Sequence, residues 1–212
     1  MTTQDAFDPA LAGPKTPRTS RGERTRRKLL EAARTEFAEK GFYEAGVSGI
    51  TQRAGVALGT FYTYFTNKEE LYRALVAHMG ELTRHWLAER VATAQDRLTA
   101  ERIGVEAFIQ FVRTHKDLYR IVMEAQFVAP DAYKAYYDVF ADDYRRNLAA
   151  AAARGQIRPG HDEERAWALI GMNVLLGLRY GVWSDDRPAS EVAAAVADLI
   201  ENGLSPTRES DP

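Results

Sequence analysis

The sequence predicts an all-α chain, and three observations carry that prediction. Apolar residues recur at helical spacing, beginning with Leu29, Leu30, Ala33 and Phe37. Helix punctuation recurs along the chain: Gly41, Gly55 and Gly155 fall past helix ends, and Pro130 and Pro188 fall at helix openings. No stretch shows the Val/Ile-rich alternation of a strand. The 212 residues are 45% hydrophobic and 27% charged, ordinary for a soluble globular protein of one large or two small domains.

Residues 1–19 carry prolines at 9, 14 and 17 and few large apolar side chains. They read as a disordered basic arm, with Lys15 and Arg18 in it and Arg21 just beyond. The first helix is expected over 20–41. Ser20 and Glu23 have capping-box spacing, and Gly41 follows Lys40 as a stop. The second spans Val47–Ala54, with Val47, Ile50 and Ala54 inward and Gly46 as a weak cap. Ala54 and Gly55 form a turn. The third, Leu58–Tyr64, is too short to stand alone in water, so packing must hold it. Phe61 and Phe65 share one face and point into a core. Leu58, Gly59, Thr60, Tyr62, Thr63 and Tyr64 are left for the other faces. That is a helix-turn-helix whose second helix faces a DNA major groove. Thr66 and Glu69 then read as a second capping box opening a helix over 67–93. Lys68 in its first turn opposes the helix dipole, and a bound phosphate would reverse that sign.

Charge is distributed to match. The net charge is −2, yet residues 14–68 hold 11 Lys and Arg against 5 Asp and Glu, while residues 69–212 hold 17 against 23. A basic front and an acidic rear suit a DNA reader with a separate partner or ligand domain.

The run Leu29-Leu30-x-x-Ala33, Phe37, Gly41-Phe42, Val47-x-x-Ile50 and Ala54-Gly55-Val56-x-x-Gly59-Thr60-Phe61-Tyr62-x-Tyr64-Phe65-x-Asn67-Lys68-Glu69-x-Leu71 resembles the DNA-binding domain of TetR-family transcriptional regulators. The likeness covers about residues 21–72. It implies an all-helical homodimer whose rear domain binds a small effector and dimerises, and whose two reading heads leave a palindromic operator when the effector binds. Carried over by position, it implies phosphate contacts at Tyr62, Tyr64 and Lys68, joined by Thr60, the Gly59 backbone and Ser48. It implies base-edge reading at Leu58, Gly59 and Thr63. The chain departs from the pattern at Ala57 and Gly46, where hydroxyl residues are usual, and at Thr51, where alanine is usual.

The rear domain is expected over 67–204, after a helix-turn-helix domain at 20–66 and before a tail at 205–212. Its helices are expected over 101–115, 118–127, 130–154, 162–182 and 188–203, with Asp162 as a cap. The fourth of these is apolar nearly all round, through Trp167, Ile170, Val174 and Leu178, so it needs cover on more than one side. Gly177 and Gly181 permit a close helix approach, and Val192, Val196 and Leu199 line the last helix. A partner copy is the expected second cover, in a two-fold four-helix interface. Phe108, Phe111, Tyr119, Phe127, Tyr137 and Phe140, with Met123, make an aromatic wall for an apolar or amphiphilic effector. His115, Asn173, Glu124 and Gln126 are its candidate anchors.

The expected function is a ligand-responsive dimeric transcriptional regulator, a repressor first. Its partners are double-stranded DNA with a palindromic operator, a small-molecule effector and a second copy of itself. An activator is one alternative. A small-molecule binding protein with a weakened DNA-binding domain is another, on the strength of Ala57 and Gly46. No catalytic residue, cofactor or metal site is expected. No metal site is expected at His78 and His85, which lie seven apart on one helix face, and the adjacent pairs Asp142-Asp143 and Glu163-Glu164 point apart on their helices. The longest uncharged apolar run, 166–178, is too short to span a bilayer. A cytoplasmic, non-membrane protein is the default.

Overall fold

Thr19 starts the first helix. Its Oγ1 accepts from the Gly22 N–H at 3.1 Å, so Ser20 lies inside the helix and the expected capping box gives way to a simple cap one residue earlier. Either of two adjacent hydroxyl residues can cap, and only the backbone decides which one does. The computed structural model describes residues 19–203. Apart from Thr19, the expected arm and tail lie outside them. The helices are α1 (Ser20–Glu44), α2 (Val47–Ala54), α3 (Leu58–Tyr64), α4 (Lys68–Val91), α5 (Arg97–Thr114), α6 (Lys116–Val128), α7 (Pro130–Ala153), α8 (Asp162–Gly177) and α9 (Ala189–Asn202). A π-helical turn, Leu178–Trp183, continues α8. No strand occurs among the described residues.

Caps account for the other differences from expectation. Asn67 Oδ1 accepts from the Glu70 N–H at 2.7 Å, and Glu70 Oε2 accepts from the Thr66 N–H at 2.6 Å, so the second capping box is also shifted by one. Asp96 caps α5 through the Thr99 N–H at 2.9 Å, which starts that helix four residues early. The residue before α8 is His161, left-handed at φ 59° and without a side-chain cap, so Asp162 is the first helical residue rather than the cap.

The chain separates into two compact units. The first holds residues up to Met79 together with Arg120–Lys134, and the second holds Gly80–Tyr119 and the residues from Ala135 onward. The helix-turn-helix therefore does not end its unit near residue 66. Leu71, Tyr72, Leu75 and Val76 of α4 are buried, as are Ile121, Val122 and Ala125 of α6. They belong to the same unit as the buried Leu29, Phe37, Ile50, Phe61 and Phe65. Each such side chain contributes about 1.5–3 kcal/mol when removed from water, and α1, α2 and α3 alone bury too few of them.

In the second unit, Val105 and Ile109 of α5 pack with Val192, Ala193 and Val196 of α9. Gly177 and Gly181 lie against α5. A Cβ at Gly177 would stand 2.7 Å from the Phe108 ring, and one at Gly181 would stand 2.7 Å from Val112. The close approach expected of these glycines therefore occurs within one chain. Ile170, Gly177, Gly181, Val192 and Val196 are all buried there, and their assignment to an interface between copies is corrected. Spacing reports that a residue is buried, not which neighbour buries it. Val174 and Leu178 are half-buried, and Trp167 and Leu199 remain exposed.

Candidate functional site

Gly55 takes the left-handed conformation, φ 67° and ψ 37°, and its N–H donates to Gln52 O at 3.1 Å. That ends α2 and turns the chain into α3, a geometry glycine adopts without a Cβ penalty. Thr51 is buried, with its hydroxyl turned back onto the Val47 carbonyl at 3.0 Å, so it fits where alanine would. Phe61 and Phe65 are fully buried with ring centroids 5.8 Å apart, which anchors α3 by one face.

The opposite face is presented outward. Leu58 and Tyr62 are each 51% exposed, and Gly59 and Thr63 are exposed beside them. The four residues share one side of a helix by their spacing. Thr60 and Tyr64 are half-buried at its flank, and Ser48 is exposed on α2. The Tyr62 ring packs edge-on against Phe61 at 5.2 Å, which stiffens the arm carrying its hydroxyl. Ala57 stands at the cap position of α3 with no side-chain hydrogen bond. Replacing Ala57 with serine should stabilise the first unit by about 1 kcal/mol, read as a shift in its thermal unfolding.

A buried carboxylate braces the two front helices. Glu36 of α1 is 2% exposed and takes Lys40 Nζ at 2.5 Å and Arg53 Nη2 of α2 at 3.2 Å. Arg53 also reaches Glu39 at 2.6 Å. The hydrogen bond from Lys40, joined by that from Arg53, holds the Glu36 carboxyl below its ordinary range against the opposing effect of burial. Because the folded value is depressed, this bracing is present above the unfolded carboxyl value and fades as pH falls through the folded one.

Lys68 has a different setting from the expected phosphate contact. Its ammonium donates to Phe42 O at 2.7 Å, Ala45 O at 2.8 Å and Tyr43 O at 3.3 Å, and sits 4.4 Å from the Phe42 ring centroid. These are carbonyls at the end of α1. The charge that opposes the α4 dipole thus meets the carbonyls of the turn that follows the kink at Gly41 (φ 73°), with all three donors used. The reason for assigning it a phosphate no longer holds.

Part of α6 hooks onto the same helix end. Glu124 Oε1 accepts from the Phe42 N–H at 3.1 Å, Tyr72 donates to Ile121 O at 2.8 Å, and Arg120 donates to Ala38 O at 3.1 Å. Arg73 of α4 pairs with Asp131 of α7 at 2.9 Å. Glu124, expected as an effector anchor, is committed to this junction. Burial, reinforced by the Glu124 charge, pushes the Tyr72 phenol up. Nothing local in the sequence announces these pairs, which join residues 49 to 82 positions apart.

The expected aromatic wall divides. In the second unit, Phe111 stacks on His115 at 4.4 Å and meets Trp86 at 5.7 Å. His115 Nδ1 lies 3.0 Å from Phe111 O, and Phe108 packs by Gly177. Tyr119 donates to Val174 O at 2.8 Å, and Asn173 Nδ2 donates to Leu169 O at 3.0 Å. Phe140 lies under the Arg84 guanidinium at 5.7 Å and beside Tyr136, which also meets Tyr137 at 5.0 Å. Met123 and Phe127 belong to the first unit. Phe127 is 76% exposed, so its assignment to a cavity wall is corrected. Gln126 Nε2 turns back to the Met123 carbonyl at 2.9 Å. Among the described residues, no group of His, Asp and Glu could hold a metal ion, and no helix is long and apolar enough to cross a membrane.

Residues 29–75 match the family described as bacterial regulatory proteins, tetR family. Over 192 residues the chain is 32% identical to the HTH-type transcriptional regulator YdgC of Bacillus subtilis (strain 168), spanning 88% of this chain and 96% of that relative. The chain belongs to the TetR family. Another relative is the HTH-type transcriptional activator FasR of Mycolicibacterium smegmatis, 33% identical over 111 residues, which are 52% of this chain and 50% of FasR. The fold is also that of the transcriptional regulator FadR from Bacillus subtilis in complex with stearoyl-CoA. That similarity has a TM-score of 0.73 at 18% identity and covers 84% of this chain and 99% of FadR. As a TetR-family member, the chain is a ligand-responsive, DNA-binding transcriptional regulator.

Proposed function

We propose that this chain is a homodimeric repressor that reads a palindromic operator through the exposed face of α3 and leaves it when an acyl-bearing amphiphile binds the second unit. The observation that carries the DNA reading is the two-faced α3: Phe61 and Phe65 are buried while Leu58 and Tyr62 are half in solvent. Base edges fall to Leu58, Gly59 and Thr63, where a leucine or a threonine methyl can touch a thymine methyl. Phosphates fall to Tyr62, Tyr64, Thr60 and Ser48, whose hydroxyls can each donate one hydrogen bond. Lys68 is left out because its donors are used.

The dimer reading rests on what the chain leaves uncovered on and after α8. Trp167, Leu175 at 65% and Trp183 at 69% are exposed there, as is Leu199 of α9. Large apolar side chains left in water along one helix and its continuation suit cover by a second copy. The acyl reading draws on FadR and its bound stearoyl-CoA. FasR, named as an activator, supports the second reading, in which the bound chain promotes transcription.

The test is a mobility-shift titration of the full chain on a palindromic site from its own promoter, repeated across salt. Tyr62→Phe should weaken binding to every site alike, by about tenfold for the charge-assisted hydrogen bond lost at each half-site. Thr63→Ala should instead alter the preferred sequence, read by selection from a randomised pool. An unchanged preference would overturn the base-reading assignment. No sequence-selective shift at any promoter would overturn the repressor and activator readings together.

A further inference from the structure

We infer that a cleft in the second unit, apart from the aromatic residues discussed above, is a binding site for an anionic amphiphile with an aliphatic body. The cleft has a volume of about 580 Å³ and is bounded by residues of α5, α7, α8 and α9 and by the α7–α8 loop. That is the size of a small-molecule site. None of the eleven residues expected to bind effector lines it.

Its lining names the ligand's chemistry. Leu98, Leu148, Leu169, Met172 and Ile200 supply an aliphatic wall, and no aromatic side chain lines the cleft. Such a wall suits a flexible hydrocarbon chain better than a flat ring. Arg97, Arg158 and Arg165 face Glu101 and Glu201, which leaves one positive charge over. Arg165 is turned onto the Arg158 carbonyl at 2.5 Å. Among the described residues, the Arg158 guanidinium has no ion pair.

The polar end is already built. Arg97 and Glu101 form an ion pair whose side chains are 13% and 4% exposed. Arg97 lies 5.4 Å from the Tyr144 ring centroid, and Tyr144 accepts from Asn173 Nδ2 at 3.3 Å. Arg97 Nε remains buried with no acceptor. A buried donor without a partner is unfavourable, and a carboxylate or phosphate oxygen would satisfy it. Burial raises the Glu101 carboxyl, and the Arg97 charge and hydrogen bond oppose that shift.

The experiment is calorimetric titration of the full chain with sodium decanoate and, separately, with decyltrimethylammonium, which carries a similar chain and the opposite charge. Ala168 is exposed and lines the cleft, so Ala168→Trp fills the space without entering the core. Arg158→Gln removes an exposed cation. Decanoate should bind the unaltered chain at one site and bind each variant at least about tenfold more weakly, while the cation does not compete. Thermal unfolding of both variants checks that they are folded. No decanoate binding, equal binding of the cation, or undiminished binding by folded Ala168→Trp would each overturn the site. The titration contains no DNA, so its failure would leave the operator reading standing.

Discussion

Replacing Lys68 with methionine should destabilise the first unit by about 2–4 kcal/mol, because an ammonium shared by three carbonyls is exchanged for an apolar tip. Methionine keeps the hydrocarbon stem, so the loss isolates the charge-assisted hydrogen bonds to Phe42, Tyr43 and Ala45. Chemical denaturation followed by circular dichroism reads the effect. Operator affinity should fall in step with the folded fraction, and the salt dependence of the remaining binding should be unchanged. A phosphate-binding lysine would behave differently: stability would hold, and the slope of log affinity against log salt would lose about 0.9 for each subunit of the bound dimer. Lys68→Arg sharpens the comparison. A planar guanidinium serves a phosphate well but cannot converge on three carbonyls as a compact ammonium does.

Gly181→Ala should cost about 1–3 kcal/mol in the second unit, the range for forcing an extra methyl into a packed interior. The added Cβ would stand 2.7 Å from Val112 Cγ1 and 2.9 Å from Val112 Cβ, so rotating one side chain does not clear it. Val112→Ala removes Cγ1 but leaves Cβ, so the double variant should recover part of the loss. That recovery, measured as a coupling in denaturation, places the π-helical turn against α5 within one chain. If Gly181→Ala is neutral in stability but breaks the dimer, the glycine belongs to the interface between copies after all.

The helix-turn-helix was legible because its signals are local. Gly46, Gly55 and the Phe61–Phe65 pair mark α2 and α3 at their observed bounds, and each acts within one or two turns of itself. The caps at Thr19 and Asn67 were legible only to within one residue, because a neighbouring hydroxyl residue fits the same spacing. The candidate effector site was barely legible. Aromatic residues at helical spacing mark a core or a cavity equally, and Phe127 is neither. The cleft at Arg97 leaves no local sequence signal, because its walls come from helices far apart in sequence and its lining has no aromatic signature.

By itself, the sequence determined that the chain is helical, where α3 begins and ends, and that Leu58, Gly59, Tyr62 and Thr63 face outward on it. These follow from periodicity and backbone preference, which are properties of neighbours along the chain. Tertiary structure alone decided what Lys68 caps, that α4 and α6 complete the front unit, and that Gly177 and Gly181 meet α5 of their own chain. In each case the deciding partner lies more than 20 residues away. A charge, a glycine or an apolar stripe states what kind of neighbour it requires, and only packing in three dimensions selects which one it meets.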